Sequence, residues 1–369
     1  MKKVLILTTS TGQGHNKAAN ALVEVFSEHG YECVKADFLG NNGKILNRII
    51  VKGYGLLASV FPSFYGWFYK FTDSKYTNKV LKLFFTLARK KLLNLINSTK
   101  PDIIIGTHPL TVNLISELKA KNLNIPFIIV VTDFKAHYTY ISPLVDAYIT
   151  GSEYTNKSLT SRGISRNNIF AYGIPISEGF YQKDSNIPYL RNDKYFNILL
   201  MSGSMGLDNI SFVLDELIKN KHCLRVTAVC GNNKKLKESL SKKCEISYFK
   251  KKLHILGYSD DIASIMEYSD VIISKPGGLT VTESIIKHLP MIIPFTIPGQ
   301  EQENLDFLIS SGYSFKLNDL SDINPLIDSI IENPITLTEI ESKLKIASSS
   351  YSPKKIVDVA ETLLKKAMF

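Results

Sequence analysis

An apolar run of strand length, a glycine-containing turn and an amphipathic helical pattern follow one another at the start of the chain and again near its middle. The two copies are residues 2–26, KKVLILTTSTGQGHNKAANALVEVF, and residues 195–218, YFNILLMSGSMGLDNISFVLDELI. Continuous apolar runs are typical of strands buried on both faces of a parallel sheet, and the order strand, turn, helix opens a doubly wound domain. The pattern predicts an α/β protein with two Rossmann-like domains.

Shorter apolar runs extend both predicted sheets: Ile103–Ile105 and Phe127–Val131 in the first, and Arg225–Val229, His254–Leu256 and Val271–Ile273 in the second. Residues 173–193 lie between them with two prolines, two glycines and little periodicity, which predicts a linker. We therefore expect a first domain over residues 1–172 and a second over residues 194–350. A last helical pattern covers Pro353–Lys366, within residues 351–369.

Residues 271–304, VIISKPGGLTVTESIIKHLPMIIPFTIPGQEQEN, carry the most informative polar pattern. An apolar strand leads into a sharp turn at Pro276, Gly277 and Gly278, where the backbone can approach a ligand closely. A helix opens with Thr280 and Glu283, and helix N-termini bind phosphate through unpaired N–H groups. A second strand, Met291–Phe295, ends in a polar loop whose side chains suit sugar hydroxyls: Gln300, Glu301, Gln302 and Asn304. The segment predicts a site for a nucleotide-diphosphate sugar.

Five short motifs give the chain a family resemblance: TGQGHNKAA at 11–19, TDFKAH at 132–137, SKPGGLTVTE at 274–283, LPMIIPF at 289–295 and PGQEQEN at 298–304. In this order they resemble the glycosyltransferases that glycosylate diacylglycerol, the monogalactosyldiacylglycerol synthase family. That family is related to the N-acetylglucosaminyl transferase that makes lipid II. The resemblance implies the GT-B fold, in which two Rossmann-like doubly wound domains face each other across a cleft.

The same resemblance assigns roles to particular residues. It implies that Glu283 holds the ribose, that Gln300 and Glu301 hold the hexose, and that uracil lies beside Gly257 and Tyr258. The TGQGHNKAA loop, with Gly12 and Gly14, lies on the acceptor side. The last helix of the family returns to the first domain, so we expect residues 351–369 to pack there. For Tyr258 a packed loop aromatic is an equal alternative, and for the Gln300–Asn304 cluster the alternative is an exposed polar loop.

Composition limits the class of protein. The chain has 369 residues, 44% of them hydrophobic, and a mean hydropathy of +0.02, which suits two sizeable cores and argues against disorder. Its four cysteines show no zinc-site spacing, so we expect free thiols in a reducing compartment. No run approaches the ~20 apolar residues of a membrane span, and the apolar start is one strand long, so a mature cytoplasmic protein is expected.

Positive charge is concentrated in residues 44–100, which contain eleven lysines and arginines against one acid, Asp73. This window also contains an aromatic loop with the only tryptophan. Cations beside interfacial aromatics suit an anionic membrane surface. We therefore expect peripheral attachment to the inner face of the membrane, with membrane contact through Phe61, Phe64, Tyr65, Trp67, Phe68 and Lys70.

The same window leaves two alternatives. A helix is predicted over Lys79–Ile96, and the alternative is that its apolar stripe is a core face with the lysines as its solvated back. Charge alone would also allow a nucleic-acid partner, but the chain has no recognition-helix motif and no aromatic RNA-binding signature, so none is expected.

Transfer of a sugar to a hydroxyl requires a base, and His15 is our candidate. It follows the first strand, at the carboxyl edge of the sheet, and an imidazole can accept a proton near neutral pH. The alternative is that His15 caps the helix beginning near Asn16, binds an anion there, or only orients the acceptor. Asp133 and His137, just past another strand end, are the runners-up, and both are expected on the acceptor side.

The departing diphosphate requires stabilisation, and two glycine turns offer backbone amides for it. One is GSMG, residues 203–206, with Gly203, Ser204 and Gly206 as candidate donor-binding residues, although an ordinary turn is the alternative. The other is the PGG turn at 276–278. Asp260 and Asp261 are adjacent and do not form the Asp-x-Asp pair of metal-dependent transferases. We expect neither a metal nor another cofactor.

These expectations combine into one hypothesis: metal-independent, inverting transfer of a hexose from a UDP-sugar to diacylglycerol at a cytoplasmic membrane surface. A base that attacks the face opposite the diphosphate inverts the anomeric carbon. The alternatives are N-acetylglucosaminyl transfer to a pyrophosphoryl lipid, glycosylation of a soluble acceptor, and a lipid-binding protein without activity. The sequence leaves open glucose against galactose, the number of sugars added and the oligomeric state.

Overall fold

A computed structural model describes residues 1–9, 13–38, 62–74, 86–182, 194–203, 209–244 and 248–367. The chain divides into two units. The first contains Met1–Ser177, Ile297–Asn304 and Ser350–Phe369, and the second contains Glu178–Thr296 and Leu305–Ser349. The short segment 297–304 therefore belongs with the first unit although its sequence neighbours on both sides belong with the second.

The first unit is built on a parallel six-stranded sheet in the order β2-β1-β3-β4-β5-β6. Its strands are β1 Lys3–Thr8, β2 Glu32–Asp37, β3 Ile103–Gly106, β4 Phe127–Val130, β5 Ala147–Ile149 and β6 Ile169–Phe170. Its helices are α1 Gln13–Glu28, α2 Pro62–Thr72, α3 Thr86–Thr99, α4 Pro109–Lys119 and α5 Glu153–Thr160. Short 3₁₀ turns cover Tyr138–Tyr140 and Arg166–Asn168.

The second unit has its own parallel six-stranded sheet, in the order β12-β11-β10-β7-β8-β9. Its strands are β7 Phe196–Met201, β8 Leu224–Val229, β9 Lys251–Leu256, β10 Val271–Ile273, β11 Met291–Ile293 and β12 Ser314–Lys316. Its helices are α6 Ile210–Lys219, α7 Lys234–Cys244, α8 Ile262–Tyr268, α9 Gly278–Ile286, α10 Gln300–Ser311, α11 Ile323–Glu332 and α12 Ile335–Ser348. Short 3₁₀ turns cover Glu178–Phe180 and Leu320–Asp322.

The first turn of α10 lies in the segment assigned to the first unit, and the rest of the helix belongs to the second. The last helix, α13 Pro353–Ala367, packs against α1 within the first unit. Just before α13, the hydroxyl of Tyr351 donates a hydrogen bond to the carbonyl oxygen of Gly151.

The central strands are apolar throughout because helices cover both faces of each sheet. Residues Val4–Leu7 of β1 and Ile103–Ile105 of β3 are fully buried, and Ile6 lies opposite Ile105 in the parallel register. In the second unit Ile198–Leu200 of β7 and Val271–Ile273 of β10 are buried in the same way and pair with one another. These strands form the inner layer of each core.

Each sheet has a switch point where the strand order reverses, between β1 and β3 in the first unit and between β7 and β10 in the second. Ligands of doubly wound sheets bind beyond the carboxyl ends of the strands at this position. The first switch point carries the first turn of α1, with His15, and the residues after Gly106. The second carries Gly203 and the turn at 274–278. The candidate residues therefore follow the strands that the topology selects.

Three sequence predictions are corrected by the structure. The aromatic stretch predicted as a loop forms α2 from Pro62, a residue that fits the first helical turn. The polar loop predicted over Gln300–Asn304 is the first turn of α10. His15 does not precede its helix but lies inside α1, which begins at Gln13.

Other predictions fall partly outside the described residues. Of the helix predicted over Lys79–Ile96, the structure describes the part from Thr86, and that helix continues to Thr99. Residues 183–193 of the predicted linker are outside the described ranges. Within those ranges no helix is long and apolar enough to cross a membrane.

Candidate active site

His15 lies at the first switch point and is fixed by the ends of two neighbouring strands. Its Nδ1 lies 2.7 Å from the carbonyl oxygen of Thr107, just past β3, and 3.0 Å from Oγ1 of Thr132, just past β4. The hydroxyl of Thr107 donates in turn to the carbonyl oxygen of His15 at 3.0 Å. The ring and the backbone of His15 are thus both held by residues about 90 to 120 positions away.

This contact decides which nitrogen of His15 carries the hydrogen. A carbonyl oxygen only accepts, so Nδ1 must be the N–H that donates to Thr107, and Nε2 carries the lone pair. Burial lowers the pKa of His15 to about 4, against the smaller raising effect of the bond to Thr107. At neutral pH the imidazole is therefore uncharged, with Nε2 as a proton acceptor.

A second histidine, His108, lies against His15 with ring centroids 4.5 Å apart in an edge-to-face arrangement. Its Nδ1 accepts the backbone N–H of Leu110 at 3.2 Å and caps α4, so its Nε2 carries the hydrogen. Burial, and then the proximity of His15, hold the pKa of His108 well below its usual range. Sequence reasoning missed this residue, although a histidine two residues after the buried strand IIIG was the available signal.

Asp133 follows Thr132 and is also buried, with 8% of its surface exposed. Burial raises its pKa to about 7, opposed by hydrogen bonds from Asn304 and Gln300 and reinforced by the charge of Glu303. Nε2 of Gln300 donates to Oδ1 of Asp133 at 3.2 Å. Thr132 and Asp133 are adjacent at the end of β4. Thr132 thus contacts the candidate base His15, and Asp133 contacts Gln300 in the predicted hexose-binding turn.

The first turn of α10 is attached to the TDFKAH segment at further points. Oδ1 of the fully buried Asn304 accepts the backbone N–H of Phe134 at 2.8 Å, and Lys135 forms an ion pair with Glu303 at 2.9 Å. The buried carboxylate of Glu301 accepts the backbone N–H of Ile297 at 3.0 Å. Asn304 therefore holds the backbone of the TDFKAH segment, whereas the side chains of Gln300 and Gln302 remain partly exposed.

His137, a runner-up for the base, has both ring nitrogens engaged. Nδ1 accepts the backbone N–H of Thr139 at 3.2 Å, and Nε2 donates to the carbonyl oxygen of Tyr69 at 3.1 Å. Burial lowers its pKa, although Asp73 opposes this. These contacts favour a role in which His137 fixes the end of α2 on the first unit.

The described aromatic side chains of α2 face two ways. Trp67 and Phe71 are 58% and 55% exposed and stack with centroids 5.3 Å apart, and Lys70 beside them is exposed. Tyr69, by contrast, directs its hydroxyl to Glu303 at 2.9 Å. The side chains of Phe64, Tyr65 and Phe68, and all of Phe61, lie outside the described residues.

In the second unit, two turns meet at the switch point. Gly203, two residues after β7, has a φ of +72°, and a Cβ there would lie 2.9 Å from Cε of Lys275. The glycine therefore permits both the turn and the approach of the lysine. Gly277 caps α9, whose helical residues begin with Gly278. The first-turn amides of α9 can hold an anion such as a diphosphate. Ser204 and Gly206, like Gly12 in the first unit, lie outside the described residues.

Glu283 lies one turn into α9 and is 5% exposed, while Thr280 and Pro276 stand on either side of the glycine turn. A buried carboxylate at that position can accept hydrogen bonds from paired ribose hydroxyls. Beyond β9, Gly257 is partly exposed and Tyr258 is 59% exposed, with a hydrogen bond to Asp260 that raises the pKa of the phenol. The exposure of Tyr258 does not fit a packed loop aromatic.

Solved structures share the fold of this chain. The chain superposes on MurG of Acinetobacter baumannii with a TM-score of 0.68 at 19% identity, covering 98% of this chain and 100% of the other. It superposes on MnaA of S. aureus, solved with UDP, with a TM-score of 0.64 at 14% identity, covering 99% and 97%. Two parallel six-stranded sheets, each with a switch point, give this chain the same fold as these structures, the GT-B fold.

Sequence comparisons specify the family. Residues 15–176 match the monogalactosyldiacylglycerol (MGDG) synthase family, and residues 197–317 match the C-terminal domain of glycosyltransferase family 28. The processive diacylglycerol beta-glucosyltransferase of Bacillus subtilis is 31% identical over 95% of this chain and 93% of its own length. The enzyme of the same name from Bacillus licheniformis is 30% identical over 98% and 95%. The chain belongs to this family of diacylglycerol glycosyltransferases.

Proposed function

We propose that this protein transfers a hexose from a UDP-sugar to diacylglycerol, with inversion at the anomeric carbon, without a metal ion and at an anionic membrane surface. Full-length similarity to enzymes named processive diacylglycerol beta-glucosyltransferases supports the acceptor and the class of sugar. Structural neighbours solved with UDP and with UDP-glucose support the donor.

The observation that carries the proposal is the fixed tautomer of His15. The bond from Nδ1 to Thr107 leaves the lone pair on Nε2, and the low pKa keeps that nitrogen unprotonated at neutral pH. A histidine with one nitrogen held by a carbonyl oxygen and the other unprotonated is arranged as a general base. Sugar transfer to a hydroxyl needs such a group.

In the proposed step the hydroxyl oxygen of the acceptor attacks the anomeric carbon of the donor. The bond between that carbon and the diphosphate oxygen breaks, UDP leaves with the electron pair, and the hydroxyl proton passes to Nε2 of His15. Attack from the face opposite the diphosphate converts an α-linked donor into a β-glycoside. Asp133, which lies next in sequence to Thr132, is the alternative proton acceptor because its pKa is raised to about 7.

The leaving diphosphate is stabilised, in this proposal, by the second switch point. The amides at the N-terminus of α9 and the positive helix end favour negative charge there. The ammonium of Lys275, close to Gly203, adds a further positive charge. Together these groups can take the part that a divalent cation takes in metal-dependent transferases.

Membrane attachment is supported by α2. Its exposed, stacked pair Trp67 and Phe71 beside Lys70 gives an aromatic and cationic surface of the kind that enters an anionic interface. In this proposal, contact of this surface with the membrane brings the acceptor side of the first unit close to the lipid that carries the hydroxyl group.

The test is an incubation of the purified protein with EDTA and vesicles that contain diacylglycerol and an anionic lipid. UDP-glucose, UDP-galactose and UDP-N-acetylglucosamine are offered separately, lipids are identified by mass spectrometry, and the anomeric configuration is read from proton coupling constants. A β-hexosyl-diacylglycerol from one donor is expected. Product only after addition of a divalent cation would refute metal independence, and an α-linked product would refute inversion.

If none of the three donors gives a glycosylated diacylglycerol, the remaining acceptors are tested. The same donors are then offered with a pyrophosphoryl lipid and with soluble hydroxyl compounds. Transfer of N-acetylglucosamine to the pyrophosphoryl lipid would replace diacylglycerol as the acceptor in the proposal. Transfer to a soluble hydroxyl would also remove the need for a membrane surface.

A further inference from the structure

The carboxylate of Glu303 joins two parts of the first unit that have separate roles in the proposed function. Its Oε2 accepts the hydroxyl hydrogen of Tyr69 at 2.9 Å, and its Oε1 lies 2.9 Å from the ammonium of Lys135. Glu303 is in the first turn of α10, three residues after Gln300. Tyr69 is in the last turn of α2, whose opposite side carries the exposed aromatic pair.

A second contact joins the same two elements. Gly66, one turn before Tyr69, is buried against Pro298, and a Cβ at residue 66 would lie 2.6 Å from Cβ of that proline. Any larger residue would force α2 away from the segment that leads into α10. Gly66 and Tyr69 are three positions apart and therefore lie on one face of the helix.

The face of α2 that meets this segment is distinct from the face that meets solvent. Gly66 and Tyr69 lie within about a quarter turn of each other. Asp73, one residue past the end of α2, accepts hydrogen bonds from Arg162 through both of its oxygens, at 2.6 and 2.9 Å. Trp67 and Phe71 lie on the other side of the helix. The inner face and the C-terminal end of α2 are thus anchored at three points, while the outer face presents the stacked rings.

We propose that Glu303 is a positioning residue for the first turn of α10, which is predicted to bind the hexose. In this proposal Tyr69 makes the position of Glu303 depend on how α2 lies on a lipid surface. Tyr69 holds Glu303, Glu303 fixes the turn, and the turn presents Gln300 to the donor sugar beside Asp133. Lipid contact at Trp67 and Phe71 restrains α2 and thereby the turn. This inference rests on the proposed use of Gln300 for the hexose and of α2 for the membrane.

The consequence is a donor affinity that depends on the membrane. Wild-type protein should show a lower KM for the UDP-sugar on anionic vesicles than with a short-chain diacylglycerol in neutral micelles. Tyr69→Phe removes only the hydroxyl group. A hydrogen bond to a charged group changes an equilibrium by about tenfold or more, so we expect KM for the donor on vesicles to rise about tenfold. The turnover number at saturating donor should change far less.

Three further variants separate positioning from general damage to the fold. Glu303→Gln keeps an oxygen that can accept from Tyr69 and should raise KM less than Glu303→Ala, which loses both contacts. Tyr172→Phe is the matched control, because Tyr172 is a partly exposed tyrosine of the same unit that contacts Phe170 and Lys355. Thermal unfolding of each variant shows whether it retains the wild-type fold.

Coupling to the lipid is tested by a double-mutant cycle between Tyr69→Phe and Trp67→Ser/Phe71→Ser. If the seating of α2 acts through Tyr69, the two changes together should raise donor KM on vesicles little more than either alone. Independent, multiplying effects would overturn the coupling. A Tyr69→Phe variant with unchanged donor KM, in a preparation whose wild type makes glycolipid, would overturn the positioning role and leave the proposed function intact. A wild type without activity on any donor would instead refute the proposed function.

Discussion

The side-chain amide of Gln300 donates a hydrogen bond of 3.2 Å to the carboxylate of Asp133, across 167 residues of sequence. Next to Asp133, the hydroxyl of Thr132 lies 3.0 Å from Nδ1 of His15. The end of β4 thus connects a candidate base with the turn that is predicted to hold the donor hexose. Because both connections run through adjacent residues, a change at either end should be measurable at the other.

Replacement of His15 by glutamine should reduce kcat by about 10²- to 10⁴-fold, the usual contribution of a general base. The affinity for UDP, measured by isothermal titration calorimetry, should stay within about twofold, because no nucleotide contact is assigned to the imidazole. His29→Gln is the control, since this histidine lies just beyond the other end of α1 and contacts the carbonyl oxygen of Val25. Turnover near that of the wild type would remove His15 from the mechanism.

The pH dependence of kcat/KM distinguishes the two candidate bases. A base must be unprotonated, so the rate falls as pH drops through its pKa in the free enzyme. With His15, whose pKa is about 4, kcat/KM should stay level from pH 8 down to roughly pH 5.5. A fall centred near pH 7 that disappears in Asp133→Asn would assign the base to Asp133, whose pKa is about 7.

Asp133 should also leave a signature in the stability of the protein. Its pKa rises from 3.8 to about 7 on folding, so between these values the folded state keeps a proton that the unfolded state releases, and stability falls as pH rises. Asp133→Asn removes this penalty and should gain stability relative to wild type, on the order of 4 kcal/mol above pH 7 and little near pH 4. Urea unfolding at pH 4.5, 6 and 8 measures it. Asp358→Asn, at an exposed position, is the control. A difference in stability between Asp133→Asn and wild type that does not change with pH would contradict the assignment.

Replacement of Glu283 by alanine should weaken UDP binding by about tenfold or more, because a buried carboxylate that accepts ribose hydroxyls contributes roughly 1.5–3 kcal/mol per hydrogen bond. Binding of UDP is measured by calorimetry, and thermal unfolding checks the fold. Glu238→Ala, on an exposed position of α7, should leave the affinity unchanged. Unaltered UDP binding in folded Glu283→Ala would show that the ribose is held elsewhere.

The outer face of α2 is tested by Trp67→Ser/Phe71→Ser. Withdrawal of two aromatic side chains from the interface should weaken binding to anionic vesicles at least tenfold, since burial of one such side chain contributes roughly 1.5–3 kcal/mol. Cosedimentation at low and high salt measures it. Ile346→Ser removes a similarly exposed apolar side chain from the second unit and should have no effect. Equal, salt-insensitive binding of wild type to anionic and neutral vesicles would refute an electrostatic docking surface.

The sequence by itself determined the elements whose pattern is local. Apolar runs such as Val271–Ile273 and the turn at 276–278 appear where they were predicted, because a strand buried on both faces and a glycine turn each leave a signature within a few residues. The motif order was also sufficient to predict the family and the two Rossmann-like sheets. The prediction from sequence was wrong for two stretches that were expected to be loops. The aromatic stretch from Pro62 and the polar stretch from Gln300 form helices.

Only the tertiary structure decided which of these motifs meet. Sequence placed Asp133 with the acceptor and Gln300 with the donor, and the fold joins them through a hydrogen bond. It also brought His108 beside His15 and divided α2 into an inner face at Tyr69 and an outer face at Trp67. Such contacts join residues far apart in the chain. The contact between His15 and His108 forms because the neighbouring parallel strands β1 and β3 bring their carboxyl ends to one edge of the sheet. The chemical type of each residue is local, whereas its partner, burial and pKa are set by the packed fold.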